Sequence, residues 1–446
     1  MPDSPTAEPH FEVADEVTVA PDRALVHASG WQSWSPTGTY PVLDHSPVPE
    51  HDWQYRMRFR PGSPCVTSGF QAEGLLVVDD GLGGPIRLYG PGGFDGLDEI
   101  PTIRADLAGD RLLISSDGPL QVAAVDGSMA DALAAFGEDW AARCHIGAIR
   151  TAPRVWCTWY RYFLDVTPAD IEENLEAIRR RDLPVDVIQI DDGWEAGIGD
   201  WEPGTRFRTL PHLIGRIRDE GFRAGLWLAP LTVGSRSRLA REHPDWLVGD
   251  GGRNWGQSLH GLDVTHPEAG GHLTQSLRHI RDLGIDYVKL DFLYTGALPG
   301  RRHDDVSPLA AYRRGLQLVR EALGERTYVL GCGAPILPSV GLVDAMRVSA
   351  DVYNPDDDQP GTQTLRGVQA ITERAWQHGR LWVNDPDCLI ARPAFPLRQE
   401  WARVIDRFGG LRSASDRIAE LDEWGLATTR RLLSTAPPPT AFREAL

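Results

Sequence analysis

Two aspartates close apolar runs in this chain: Asp291 ends Tyr287-Val-Lys-Leu-Asp291, and Asp351 ends Met346-Arg-Val-Ser-Ala-Asp351. A buried strand that runs into a carboxylate is costly unless the charge is paired or used. Glycosidic cleavage with retention uses two such groups, roughly 5 Å apart, across one sugar. One attacks the anomeric carbon and the other protonates the departing oxygen. Under the alternation of a strand, Lys289 points to the same side as Asp291. Its ammonium would hold that carboxylate ionised, as a nucleophile requires, and could donate to hydroxyls. Lys289 is the sole lysine among 45 basic residues, the rest being arginine. A compact ammonium is implied where a wide guanidinium would not fit. Asp351 must instead carry a proton, and an ionised Asp291 beside it would raise its pKa.

Further polar or aromatic residues stand at the ends of other apolar runs: Trp159, Asp191 with Asp192, Trp227, Cys332, and Asp385 with Asp387. Any one of these endings could be a salt bridge or a helix cap. Their convergence on one face points to a site. Adjacent carboxylates such as Asp191 and Asp192 accept several hydrogen bonds from the hydroxyls of a sugar, and Trp159, Trp194, Trp201 and Trp227 offer faces for its apolar side. Arg347 either fixes a substrate hydroxyl or holds a carboxylate. Asp356, Asp357 and Asp358 read as a solvated acidic loop.

The elements that must position these residues change character along the chain. Residues 1–148 carry short apolar stretches broken by Gly and Pro turn signals, the pattern of an all-β sandwich, with a helix over Met129–Arg143 leading out of it. From Arg154 onward strands and helices alternate. Strands are expected at 154–159, 185–190, 224–229, 285–290, 328–331, 346–349, 381–384 and near 410–413. Helices fall between them, including one over 170–181 begun by Thr167-Pro168 and one near 211–220. Eight such units over 149–446 predict a (β/α)8 barrel, whose chemistry collects at the C-terminal ends of its strands; a doubly wound α/β sheet is the alternative.

Composition bounds the function classes. A net charge of −18 argues against nucleic acid and anionic membrane surfaces as partners. No apolar run reaches membrane-spanning length, and the polar, acidic N-terminus lacks the pattern of a signal peptide. The five cysteines (Cys65, Cys144, Cys157, Cys332, Cys388) include no CxxC pair, which favours reduced thiols and a cytoplasmic location. Fifteen tryptophans against four methionines lean toward carbohydrate. No HxH pair falls at a strand end, so metal-dependent hydrolysis is not expected, and carboxylate chemistry needs no cofactor.

Trp156-Cys-Thr-Trp-Tyr160, Ile190-Asp-Asp-Gly-Trp194, Gly225-Leu-Trp-Leu-Ala-Pro230, Lys289-Leu-Asp291 and Arg347-Val-Ser-Ala-Asp351 occur in this order. Jointly they resemble glycoside hydrolase family 36, the microbial α-galactosidases, with kinship to family 27. The resemblance runs from about residue 150 to 435. Gly30-Trp-Gln-Ser-Trp34 is similar to a loop that the family's N-terminal β-domain lends to the active site. The resemblance implies Asp291 as nucleophile and Asp351 as acid/base, in a retaining exo-enzyme acting on terminal α-galactosyl groups. It implies that Asp191 and Asp192 bind the 4- and 6-hydroxyls with Lys289 nearby, that Trp159 and Trp227 line the sugar, and that Cys332 and Arg347 lie toward the 2-hydroxyl. Two departures stand out. A C-terminal β-domain is expected to be reduced or absent, and Gly331-Cys-Gly-Ala-Pro335 lacks the Cys-Ser-Ser-Gly-Gly stretch of many relatives.

The expected partner is a small carbohydrate, with homo-oligomerisation left open. Within the same chemistry the alternatives are an α-N-acetylgalactosaminidase or an α-galactosyl transglycosylase. In a different class stands a non-catalytic carbohydrate-binding barrel, against which the retention of both Asp291 and Asp351 speaks.

Overall fold

The computed structural model describes residues 10–93, 97, 99–353 and 365–435. The acidic run Asp356–Asp358 and the proline run Pro437–Pro439 lie outside them.

The N-terminal region folds into two antiparallel sheets. Its strands are β1 (Glu12–Thr18), β2 (Leu25–Ala28), β3 (Gly38–Pro41), β4 (Phe70–Glu73), β5 (Leu76–Asp79), β6 (Ile86–Pro91), β7 (Thr102–Ala108), β8 (Arg111–Ser116) and β9 (Leu120–Val125). One sheet has the order β1-β8-β7-β4 and the other β3-β2-β5-β6-β9. Val26, Leu76, Val78 and Tyr89 of the second sheet share one buried core with Phe70, Ile103, Leu112 and Ile114 of the first, so the pair is a sandwich. A short helix, α1 (Asp52–Arg58), lies between β3 and β4. Helix α2 (Met129–Arg143) leaves the sandwich under a capping box of Ser128 and Asp131. Its Phe136 meets Trp376 edge-on at 5.8 Å, tying it to the second region.

That region alternates strand and helix. After β10 (Arg154–Cys157) come α3 (Trp159–Tyr162) and α4 (Pro168–Arg180), then β11 (Val187–Ile190). Thr167 and Asp170 form the capping box of α4, and Pro168 occupies its first turn, where a missing N–H costs nothing. A hairpin of β12 (Glu195–Gly197) and β13 (Asp200–Pro203) precedes α5 (Leu210–Asp219) and β14 (Arg223–Leu228). A small antiparallel excursion follows, made of β15 (Thr232–Gly234), β16 (Leu247–Val248), β17 (Arg253–Asn254) and β18 (Gln257–Leu262). The remaining strands are β19 (Ile285–Leu290), β20 (Tyr328–Gly331), β21 (Ala345–Arg347), β22 (Val383–Asp385) and β23 (Arg412–Ala414).

Eight of these form one parallel sheet in the order β22-β21-β20-β19-β14-β11-β10-β23. Its ends meet. Leu411 N donates to Asn384 O at 2.9 Å, and Leu389 exchanges bonds with Ser413 O (2.8 Å) and Ser415 N (2.9 Å). Closure separates a barrel from an open doubly wound sheet, so the (β/α)8 expectation holds and the alternative falls. Every expected strand is present, shifted by a residue or two at its ends. Among the described residues no helix is long and apolar enough to cross a membrane.

The two regions are joined at the C-terminal face of the barrel. Ser33 N donates to Ala334 O (3.1 Å) and Ile336 N to Trp31 O (3.0 Å), so residues 31–34 pair with the chain that leaves β20. Trp34 then lies edge-on against Phe292, with ring centroids 5.1 Å apart. Gly333 permits this approach. Its φ is +54°, and a Cβ there would come within 2.9 Å of the Trp34 ring.

Candidate active site

Each strand delivers its polar residue to the same face. Asp291 follows β19 directly, and Trp227 sits near the end of the adjacent β14. Asp291 Oδ2 accepts from Trp227 Nε1 at 3.0 Å, while Oδ1 accepts from the Phe292 amide at 2.9 Å. Phe292 adopts φ +50°, a left-handed conformation unusual for a bulky residue, which turns the chain sharply just beyond the carboxylate. Lys289 Nζ lies 3.9 Å from Asp291 Oδ2, as alternation along the strand requires. The same ammonium is 3.1 Å from Asp191 Oδ2 and 5.9 Å from the centre of the Trp159 ring. Burial opposes a charge on Lys289, but Asp191 and Asp291 overcome it and hold its pKa well above the ordinary lysine value.

Asp191 is held on all sides. Its amide donates to Thr158 Oγ1 (2.9 Å), and its Oδ2 also accepts from Gln189 (2.6 Å) and from the Cys157 thiol (3.4 Å). Asp192 is likewise buried, and its Oδ2 accepts from Trp255 Nε1 at 2.8 Å. Burial pushes the Asp192 pKa well above the carboxylate range, and Glu195 and Asp191 add to the rise.

Asp351 keeps 38% of its side chain exposed and accepts from Arg347 at 3.1 Å. Burial within the site raises its pKa; Arg347 and Lys289 oppose this, while Asp291 and Asp191 reinforce it. Arg347 is itself enclosed by three carboxylates. It also donates to Asp385 (3.0 Å) and pairs with Asp387 (3.0 Å). Of the two roles open to it, holding carboxylates is the one it fills here. Asp387, which accepts from Tyr160, has its pKa raised to about 6, by burial first, against the pull of Arg347.

These groups surround a cavity of about 820 Å³, and Trp159, Asp191, Asp192, Trp227, Lys289, Asp291 and Asp351 all line it. Cys332 and Arg347 do not line it. Both are buried beneath, Cys332 at the end of β20 and Arg347 at the end of β21. Trp194 and Trp201 are also absent from the wall. The Trp194 indole turns inward to donate to Trp227 O at 2.9 Å, and Trp201 packs against the Trp227 ring at 6.2 Å.

Other walls come from residues the sequence did not single out: Trp255, Arg253 and Asn254 from the β17–β18 turn, Trp53, Met57 and Arg58 from α1, and Tyr353 and Arg366 near Asp351. Trp255 completes an aromatic rim with Trp227 (6.1 Å) and Phe292 (4.7 Å). The Arg253-Asn-Trp-Gly256 turn is a visible signal in the sequence, but nothing local says which wall it faces. Trp34 lines the cavity, as its loop's resemblance implied.

A closed (β/α)8 barrel with carboxylates on the floor of a cavity and indoles around its wall has the build of a carbohydrate-processing barrel. By family model, by relatives and by structure, the chain matches the melibiase α-galactosidases of glycoside hydrolase family 36. The melibiase model matches residues 146–308. Alpha-galactosidase 1 of Pediococcus pentosaceus is 26% identical over 172 residues, 34% of this chain and 23% of that protein. An α-galactosidase of Escherichia coli is 30% identical over 181 residues, 37% of this chain and 25% of that one. The chain thus spans about a quarter of the length of the curated relatives it matches. The solved α-galactosidase TtGalA from Thermus thermophilus, bound to p-nitrophenyl α-D-galactopyranoside, superposes with a TM-score of 0.76. It is 27% identical, over 95% of this chain and 92% of that one.

Proposed function

We propose that this chain is a retaining exo-glycosidase that releases terminal α-galactosyl groups, with Asp291 as nucleophile and Asp351 as acid/base. One observation carries the reading. Asp291, clasped by two N–H donors beside a protonated lysine, and Asp351, whose pKa is raised, line the same sugar-sized cavity. One group is built to stay charged and the other to hold a proton, which is the division of labour that double displacement needs. The similarity to TtGalA with its bound aryl α-galactoside supports galactose as the sugar.

In the first step Asp351 gives its proton to the glycosidic oxygen as that bond breaks, and Asp291 Oδ attacks C1 to form a galactosyl ester. In the second, ionised Asp351 takes a proton from water, the hydroxide oxygen attacks C1, and the ester bond returns its electrons to Asp291. Two inversions give net retention. Asp191, Asp192 and Lys289 together present acceptors and a donor to the 4- and 6-hydroxyls, and the axial 4-hydroxyl is where selection against glucose falls. Trp159 and Trp227 offer ring faces to the apolar side of the sugar.

The test is a panel of aryl α- and β-glycosides differing only in the sugar, followed by mass spectrometry of enzyme trapped with a 2-deoxy-2-fluoro galactosyl reagent. Turnover confined to the α-galactoside, with the label on Asp291, is the expected result. Label on another residue, or equal turnover of the α-glucoside, overturns the proposal.

A further inference from the structure

Behind the sugar-facing carboxyl of Asp192 stands a second acid. The chain turns at Gly193, whose φ of +110° suits glycine, and the Gly193 amide donates to Glu195 Oε2 at 3.2 Å. Trp194 is pinned below by its bond to Trp227 O, and Gly204 N donates to Trp194 O at 2.7 Å, which folds the β12–β13 hairpin back under the turn. Glu195 opens that hairpin, and its carboxyl is brought within hydrogen-bonding reach of the Asp192 carboxyl.

The oxygens of Asp192 differ. Oδ2 accepts from Trp255, whereas Oδ1 is fully enclosed and receives no donor among the described residues. An enclosed carboxylate oxygen without a donor is costly, because it has left water and gained no partner. The cations recorded nearby are engaged elsewhere. Lys289 is engaged with Asp191 and Asp291, and Arg206, which lines a groove beside Glu195 with Arg208, donates to Leu164 O and pairs with Asp165 at 3.9 Å. Asp191 faces the pair only with further negative charge, and Arg253 on the cavity wall turns to Ser258 Oγ at 3.5 Å.

We propose that Asp192 and Glu195 share a single proton, and that Glu195 is thereby a positioning residue that locks the Asp192 carboxyl for the hydroxyls of the sugar. One O–H···O⁻ bond gives the enclosed oxygen its partner and leaves the pair with one negative charge rather than two. Burial raises both acids, which favours keeping that proton on the pair. Loss of the proton sets two carboxylates against each other and swings Asp192 away from its ligand, so sugar binding weakens toward alkaline pH. The role in substrate binding rests on the galactosidase reading; the shared proton does not.

Two measurements separate these. Isotope-edited infrared spectra of the free protein at neutral pH should show a protonated-carboxyl band that Glu195→Gln lacks, because the Gln amide donates to an ionised Asp192. Identical bands in the two proteins overturn the proposal. With p-nitrophenyl α-D-galactopyranoside, the wild-type KM should rise toward alkaline pH. In Glu195→Gln it should stay flat, and in Glu195→Leu it should be about tenfold higher throughout, with kcat changed less. An unaltered KM profile in Glu195→Leu also overturns the proposal. Presence of the infrared band, with its loss in Glu195→Gln, in a wild-type protein that cleaves no α-galactoside would sink the galactosidase reading and leave the shared proton standing.

Discussion

Lys289 Nζ lies 3.1 Å from Asp191 Oδ2, an ion pair that reaches across β14 from β19 to β11. Both side chains are almost fully enclosed, at 6% and 1% exposure. The ammonium therefore does two jobs: it satisfies Asp191 on one side and keeps positive charge 3.9 Å from Asp291 on the other. Lys289→Met should leave two buried carboxylates without their cation and lower stability by about 3–5 kcal/mol. Denaturant unfolding measures it. Lys289→Arg should restore little activity, since a planar fork cannot stand under the Trp159 ring in place of a point charge. A fully active Lys289→Arg enzyme would show that the sole lysine has no steric reason to be there.

Asp291→Ala should lower kcat/KM for an aryl α-galactoside by several orders of magnitude while the fold persists, because its two donors, Trp227 and the Phe292 amide, remain beside a small void. Azide placed in that void can attack C1 from the face the carboxylate used. The product would be β-galactosyl azide, identified by NMR. An α-azide, or no loss of rate, contradicts the assignment.

On the mechanism proposed above, the raised pKa of Asp351 should set the alkaline limb of the pH profile. The acid is active while protonated, so kcat/KM should fall as pH rises through a pKa above the ordinary carboxylate range. Asp351→Asn should abolish that limb. The rate loss should be large for an alkyl galactoside, whose leaving group needs the proton, and much smaller for cleavage of a dinitrophenyl galactoside. With the dinitrophenyl substrate the ester should accumulate, because no base remains to activate water, and stopped-flow would record a burst. Equal losses with both substrates would place the acid elsewhere.

The scaffold was legible because its signals are local. Apolar runs marked all eight barrel strands, Thr167-Pro168 marked the start of α4, and residues just past a strand end were bound to reach the same face. What alternation cannot tell is how a loop folds over that face. Trp194 follows Asp191-Asp192 closely and looked like a sugar platform, yet the turn at Gly193 sends its indole beneath the cavity. Trp255 stands more than sixty residues from Asp192 in sequence and still donates to it, because the β15–β18 excursion carries it back over the barrel. The family resemblance implied that Cys332 and Arg347 lie toward the 2-hydroxyl, while the residues alone left Arg347 open between a hydroxyl and a carboxylate. Both side chains are buried and off the cavity wall, and Arg347 pairs with three acids.

Arg374 fixes the wall that the sandwich contributes. Its buried guanidinium donates to Ser33 O (2.7 Å), Val348 O (2.8 Å), Gln32 O (2.9 Å) and Ser35 O (3.3 Å). One side chain thus ties the Trp34 loop to the segment leading from β21 toward Asp351. Arg374→Leu would strand three carbonyls in the interior, Gln32 O keeping its bond from the Ser35 amide, and even with partial relaxation the cost should be on the order of 3 kcal/mol. The loss should be local first. Hydrogen exchange should quicken at the Ser33, Ala334 and Ile336 amides, which bond across the junction, before the barrel strands respond. Trp34 would then lose its register against Phe292, and KM for the galactoside should rise more than kcat falls, since Asp291 and Asp351 are held by other residues. Arg374→Lys, with one ammonium in place of the fork, should recover only part of both effects. Unchanged exchange at Ser33 and Ala334 in Arg374→Leu would mean that the backbone pairing with residues 334–336 suffices to hold the loop.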